Sequence, residues 1–242
     1  MTSTMTPSTT FPTSPSPSTP PAVASTSTRL ARLGGVGGLV FTGSILAQNL
    51  LRASAPANDA SPEKIINYYA DHRAVSLALA VLFPIGAAGI TAFVGSLVSR
   101  ARGAARTPAI VGGLSAAALV AMFAIVTATE LAMSAYVHRG APDPSVMSAL
   151  WLTHMSVFSV NEIFIAITLV GLSTACVKMG LLSPVWKKVG LVGAAGLALG
   201  AACTPAILDV SPVFGLALAG FLIWGVFVVS ASISMLRRPA MD

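Results

Sequence analysis

Six apolar stretches, at about residues 33–51, 74–99, 109–136, 147–177, 189–208 and 213–236, constrain everything else in this chain of 242 residues. Each is about 20 residues or longer, the length a helix needs to cross about 30 Å of hydrocarbon at about 1.5 Å per residue. In lipid the backbone must satisfy its own N–H and C=O groups, which leaves helices and closed barrels, and the alternating pattern of barrel strands is absent. The stretches therefore read as six transmembrane helices of an all-α polytopic membrane bundle. Composition agrees. The chain is 55% hydrophobic and 9% charged, whereas soluble domains carry about 25% charged residues, so a water-exposed surface has too little charge to cover it.

A net charge of +6 would, in a soluble domain, bring nucleic acid to mind as a partner. Here the basic residues sit in short clusters between apolar runs, with no basic stripe and no interleaved aromatics, which excludes that class and leaves the lipid bilayer as the partner. Arg29 and Arg32, then Arg100, Arg102 and Arg106, then Lys178, Lys187 and Lys188, then Arg237 and Arg238 flank one set of span ends. Arg52, Lys64, Arg73 and Arg139 flank the other. Ten against four on short connections places both termini in the cytoplasm under the positive-inside rule. Tyr68, Tyr69, Tyr136 and Trp151 then fall near the outer interface and Trp186 near the inner one, while Trp224 lies mid-span as a packing or lipid-facing residue.

Residues 1–32 read as a disordered cytoplasmic tail, because their first 28 positions are almost wholly Ser, Thr, Pro and Ala, too poor in apolar surface to offset ordering entropy. The membrane domain follows over residues 33–238. Arg29, Arg32, the apolar run to Leu51 and Ala53-Ser54-Ala55 have the outline of a secretory signal. The run exceeds the usual 7–15 residues of such a signal, so an uncleaved first span is the preferred reading. In the first outer loop, Ser61-Pro62-Glu63 supplies a cap, a Pro at the first helical position and an acid in the first turn. With Ile65, Tyr68, Tyr69 and His72 at helical spacing, a short amphipathic helix is expected there, either as a surface anchor or as a lid. Small residues at Gly34/Gly38 and Gly196/Gly200 have the spacing of close helix packing, within the bundle or against a second copy or membrane partner. Pro84 and Pro205 are expected to kink spans two and five. Cys176 and Cys203 read as small apolar fillers, being neither a metal knuckle nor a CxxC pair.

Three ionisable side chains fall inside the spans: Glu130 in the third, His154 and Glu162 in the fourth. A central acid costs about 2.5–3.5 kcal/mol on insertion scales, so each must face the bundle interior, water or a partner. Counted from the outer helix ends, Glu130 and His154 lie at similar depth, roughly 9–10 Å in, within reach of a mutual hydrogen bond. Glu162 lies about 12 Å deeper, and Asn161 returns to the face of His154 and Phe158. With Gln48 and Asn49 at the end of span one, His72 and Arg73 at the start of span two and Asp209 in the last outer loop, these residues suggest a polar vestibule open outward. Glu130, His154 and Glu162 are the candidate catalytic groups, and Asn161, Asn49, His72 and Arg73 the candidate binding groups. No HExxH, Cys/His cluster or pair of facing histidines is present, so neither metal nor other cofactor is expected.

The run from Pro62-Glu63-Lys64-Ile65-Ile66-Asn67 through Tyr68-Tyr69-Ala70-Asp71-His72-Arg73, followed by the second span and Glu130, resembles the small actinobacterial polytopic membrane proteins of unknown function. That resemblance, over roughly residues 33–238, implies a six-helix fold in a bacterial cell membrane and no activity. Three functions stay open on the residues alone. One is binding or transport of a small solute or proton through the vestibule. Another is an enzyme using a buried carboxyl as general acid on an apolar substrate. The third is a structural or accessory subunit.

Overall fold

The computed structural model describes residues 21–205 and 214–238, and every regular element among them is helical. The elements are α1 (Pro21–Leu51), α2 (Pro62–Asp71), α3 (Arg73–Arg100), a 3-10 turn (Gly103–Ala105), α4 (Arg106–Val137), α5 (Pro144–Val160), α6 (Glu162–Lys178), α7 (Val185–Ala202) and α8 (Phe214–Arg237). Six segments are long and apolar enough to cross a membrane, the fourth made of α5 and α6 together. The chain is an all-α, multi-pass integral membrane protein.

Several boundaries differ from the sequence reading. Residues 21–32, expected in the disordered tail, are helical, because α1 runs unbroken from Pro21 into the first span. Pro is well placed at a helix start, and once a helix is nucleated each further residue adds a bond at little cost. The expectation of disorder for residues 1–20 lies outside the described residues. Span five ends early: α7 stops at Ala202 and Cys203 is a turn, two residues before Pro205, so that proline follows the helix instead of kinking it. Asp209 also lies outside the described residues. Pro84 sits within α3, where it removes the hydrogen bond to the Ala80 carbonyl.

Packing follows chain order. α1 packs on α3, α3 on α4, α4 on α5 and α6, α6 on α7, α7 on α8, and α8 returns to α1, closing a ring. Ser96 Oγ donates to Leu30 O at 2.7 Å, Lys178 Nζ to Ala104 O at 3.0 Å and Arg238 Nη1 to Gly180 O at 3.2 Å. These bonds gather the start of α1, the turns after α3 and α6, and the end of α8 at one end of the bundle, where the ten basic residues cluster. Leu97, Leu169, Leu172, Leu197, Trp224 and Phe227 fill the interior, each almost wholly buried. Trp224 is thus a packing residue, edge-on to Phe41 with ring centroids 5.0 Å apart. Outward positions such as Leu114, Val192 and Leu222 are apolar and exposed, as a lipid-facing surface requires.

The small-residue faces are taken up inside the chain. A Cβ added to Gly34 would meet Ser96 and Met235, one on Gly38 would meet Ser232 and Phe93, and one on Gly196 would meet the Leu216 carbonyl. Gly171 stands against backbone: an added Cβ would lie 2.7 Å from Gly112 N and Cα and from Pro108 O. Here α4 and α6 are as close as backbones allow, which is how helices gain contact in lipid, where apolar burial supplies little force between them. At the opposite end from the basic cluster, α2 lays Ile65 and Tyr69 onto Met133, Met147 and Trp151. Its apolar face is therefore packed on the α4–α5 hairpin. Asp143 caps α5, accepting from Ser145 N at 2.7 Å and Ser145 Oγ at 2.6 Å, and these bonds hold its carboxyl below the usual range.

Gly171→Ala should lower the thermal unfolding midpoint of the purified protein by an amount equivalent to about 1–3 kcal/mol, since backbone cannot rotate away from the new methyl. Gly43→Ala, whose Cβ meets nothing within 4 Å, should leave the midpoint unchanged or raise it. Equal midpoints for both variants would contradict the close approach of α4 and α6.

Candidate functional site

Beneath α2, at the end opposite the basic cluster, the helices diverge around a cavity of about 480 Å³. α1 contributes Asn49, the turn after it Arg52, α2 Tyr68 and Tyr69, α3 Ser76 and Leu79, and α4 Glu130. α5 adds Trp151, His154, Phe158 and Ser159, α6 Glu162 and α8 Gly215. The three ionisable residues that lipid would reject thus line one space. A smaller cavity of about 70 Å³ adjoins it through shared Asn49, Phe158 and Glu162, and its other walls are Phe123, Ile165, Ala217, Leu218 and Phe221.

Glu130 does not bond to His154. Its carboxylate is held by Arg52, with Nε on Oε1 and Nη2 on Oε2, both at 2.7 Å. The depth match expected from the sequence holds, since His154 Nε2 is 3.9 Å from Glu130 Oε1, but that is beyond hydrogen-bond length. Arg52 wins because a guanidinium fork presents two parallel donors to two carboxylate oxygens and carries its charge at every accessible pH. The pair is largely buried, with 15% and 6% side-chain exposure. In sequence Arg52 looks like a loop charge, one residue past the end of α1. Its position four residues after Gln48, on the continuing helix turn, is the signal that could have found it.

His154 is fixed from the other side. Nδ1 lies 3.2 Å from Val126 O and 3.1 Å from Thr129 Oγ1. A carbonyl only accepts, so Nδ1 carries the hydrogen and Nε2 is the atom turned toward Glu130. The ring stacks on Trp151, with centroids 5.6 Å apart and planes 18° from parallel, and Trp151 Nε1 donates to Asn58 O at 3.2 Å. On α2, burial first and the Glu130 charge second raise the phenol pKa of both Tyr68 and Tyr69, keeping them neutral hydroxyls.

Glu162 opens α6, immediately after the helical run breaks at Asn161, near the middle of the fourth span. It is 8% exposed, and its Oε2 has no hydrogen-bond partner among the described residues. Gly200 on α7 makes its place: a Cβ there would collide with Glu162 Oε2. No family model, curated protein or solved structure matches this chain. What the cavity does must therefore be read from its own chemistry.

The remaining candidates divide. Asn49 lines both cavities, although its Nδ2 is engaged with Ile45 O at 2.9 Å. Asn161 is buried with neither amide atom hydrogen-bonded among the described residues, and it lines neither cavity. His72 stacks on Tyr68 at 4.5 Å and its Nδ1 meets Tyr68 O at 2.9 Å, so it joins α2 to α3 outside the cavity. Arg73 is exposed beside it. Gln48 faces a narrow space between α1, α3 and α4 instead of the main cavity. Among the described residues, no three His, Cys, Asp or Glu side chains come together as a metal site.

Arg52→Gln and Glu130→Gln should each destabilise the protein by about 3–5 kcal/mol, because each leaves the other charge buried and unpaired. The double variant should lose less than the sum of the two, by at least about 1 kcal/mol. Unfolding midpoints measured in detergent for the four proteins test this, and strictly additive losses would show that the fork carries no coupling.

Proposed function

We propose that the chain is a membrane protein that binds a small solute in the cavity beneath α2, as a receptor or as the binding stage of a transporter. The observation that carries this reading is the convergence of Glu130, His154 and Glu162, from three different helices, and of Arg52, from the turn after α1, on one cavity with aromatic walls. Sites for small molecules are commonly concave, largely apolar and about 300–1,000 Å³ in volume, with a few polar groups to set orientation. Intramembrane ionisable residues are costly, and bringing them to a cavity is the usual mark of a ligand or ion path. By the positive-inside rule the basic end faces the cytoplasm, so the cavity opens toward the outer side of a bacterial cell membrane. α2 lines it through Tyr68 and Tyr69.

Gly215 gives a means of filling the cavity, since it lines the space and an added Cβ meets nothing within 4 Å among the described residues. Water-soluble aromatic and aliphatic solutes, both charged and neutral, can be screened by their effect on the unfolding midpoint of the purified protein. At least one class should raise the midpoint of the wild type in a saturable way and raise that of Gly215→Leu much less. No saturable shift in any class, or equal shifts in both proteins, would overturn the reading.

A further inference from the structure

The charges around the cavity do not balance. Arg52 and Glu130 satisfy one another through two bonds of 2.7 Å. His154 has its Nδ1 engaged with Val126 and Thr129, its ring face against Trp151 and its Nε2 toward Glu130. The phenols of Tyr68 and Tyr69 are neutral. What remains is Glu162, more than nine-tenths buried, which lines both cavities and whose Oε2, seated against Gly200 of α7, is unpartnered among the described residues.

Among the described residues, the helices packed around Glu162 bring no cation to it. Its neighbours across the two cavities are Asn49 of α1, Phe123 of α4, Phe158 of α5 and Ala217 of α8, and α7 meets it with Gly200. Arg52 is the one lysine or arginine among the described lining residues of either cavity, and it is committed to Glu130. A buried acid without a counter-charge is unfavourable in the free protein, and a ligand that supplies the missing charge removes that penalty.

The surrounding surface suits the rest of such a ligand. Trp151, Tyr68, Tyr69 and Phe158 line the main cavity, and aromatic faces attract cations as well as hydrocarbon. Beyond Glu162 the smaller cavity is apolar apart from Asn49, so a hydrocarbon body has room past the charged group.

We infer that the solute is a small organic monocation, an amine carrying an aromatic or aliphatic body, whose charged nitrogen pairs with Glu162 while its body lies against the aromatic wall. This rests on the binding reading above and adds to it the sign of the charge and the residue that reads it.

Three water-soluble probes share one skeleton and differ in charge: protonated 2-phenylethylamine, 2-phenylethanol and phenylacetate. Their dissociation constants are to be measured at pH 7 on the full-length protein in lipid nanodiscs, with empty nanodiscs as the partition blank. The amine should bind at least about tenfold more tightly than the alcohol, and phenylacetate more weakly than either. Glu162→Gln should bring amine and alcohol within about twofold of one another, and Gly215→Leu should weaken all three. Equal binding of amine and alcohol by the wild type, with both weakened by Gly215→Leu, would overturn the inference and leave the solute site standing; preference for phenylacetate would do the same. Absence of saturable binding by every probe, or binding indifferent to Gly215→Leu, would overturn both. If Glu162→Gln does not fold, the ranking of the three probes on the wild type decides the sign of the charge, with Glu162→Asp as the variant that keeps it.

Discussion

An ion pair joins two helices that do not pack side by side. Arg52 leaves the end of α1 and reaches past α3 to Glu130 on α4, holding the carboxylate with both arms of its fork. The arrangement follows from the solvent. Neither group can face lipid without loss, so the end of α1 and α4 are tied together beside the cavity, and α2 lies over it. Because the two charges cancel, the space is polar in parts without being strongly charged, and the lone carboxyl of Glu162 is set apart from them.

The rest of the bundle depends on the opposite kind of contact. At Gly112, Gly171, Gly193 and Gly220 the helices meet backbone to backbone or nearly so, and dispersion between close surfaces replaces the apolar driving force that lipid removes. Gly200 belongs to both regimes: it permits α7 to approach α6, and the volume its missing side chain leaves is occupied by the carboxylate of Glu162.

Most of the fold could be read from the residues, because lipid allows one backbone solution and hydropathy marks its extent. The six spans, the start of α2 at Pro62 and the segregation of ten basic residues at one end all follow from that rule. Glu130, His154 and Glu162 were legible as inward-facing residues for the same reason, being expensive where they stand. The partner of Glu130 was not. Linear spacing orders His154 and Glu130 by depth, and correctly, but it says nothing of azimuth, and a ring of six helices brings α1 back to α4 in a way that only the three-dimensional closure decides. Likewise His72 and Asn161 are polar residues at suggestive depths that the helix rotation turns away from the cavity. Tyr68, Tyr69 and Trp151 read as an interfacial belt, and the structure adds that they line the cavity, because α2 packs on the α4–α5 hairpin.

Closure of the ring has a consequence for how the chain is made. The face of α1 that carries Gly34 and Gly38 is completed by Ser232 and Met235 of α8, which leaves the ribosome roughly 160 residues after α1 ends. At about 5–20 residues per second that interval is roughly 8–30 s. Throughout it the first helix stands in the bilayer with one side unfilled, and Glu162 lacks the wall that α8 supplies. The final helix therefore acts as a latch, and its arrival is the step at which a half-built membrane segment becomes a closed compartment.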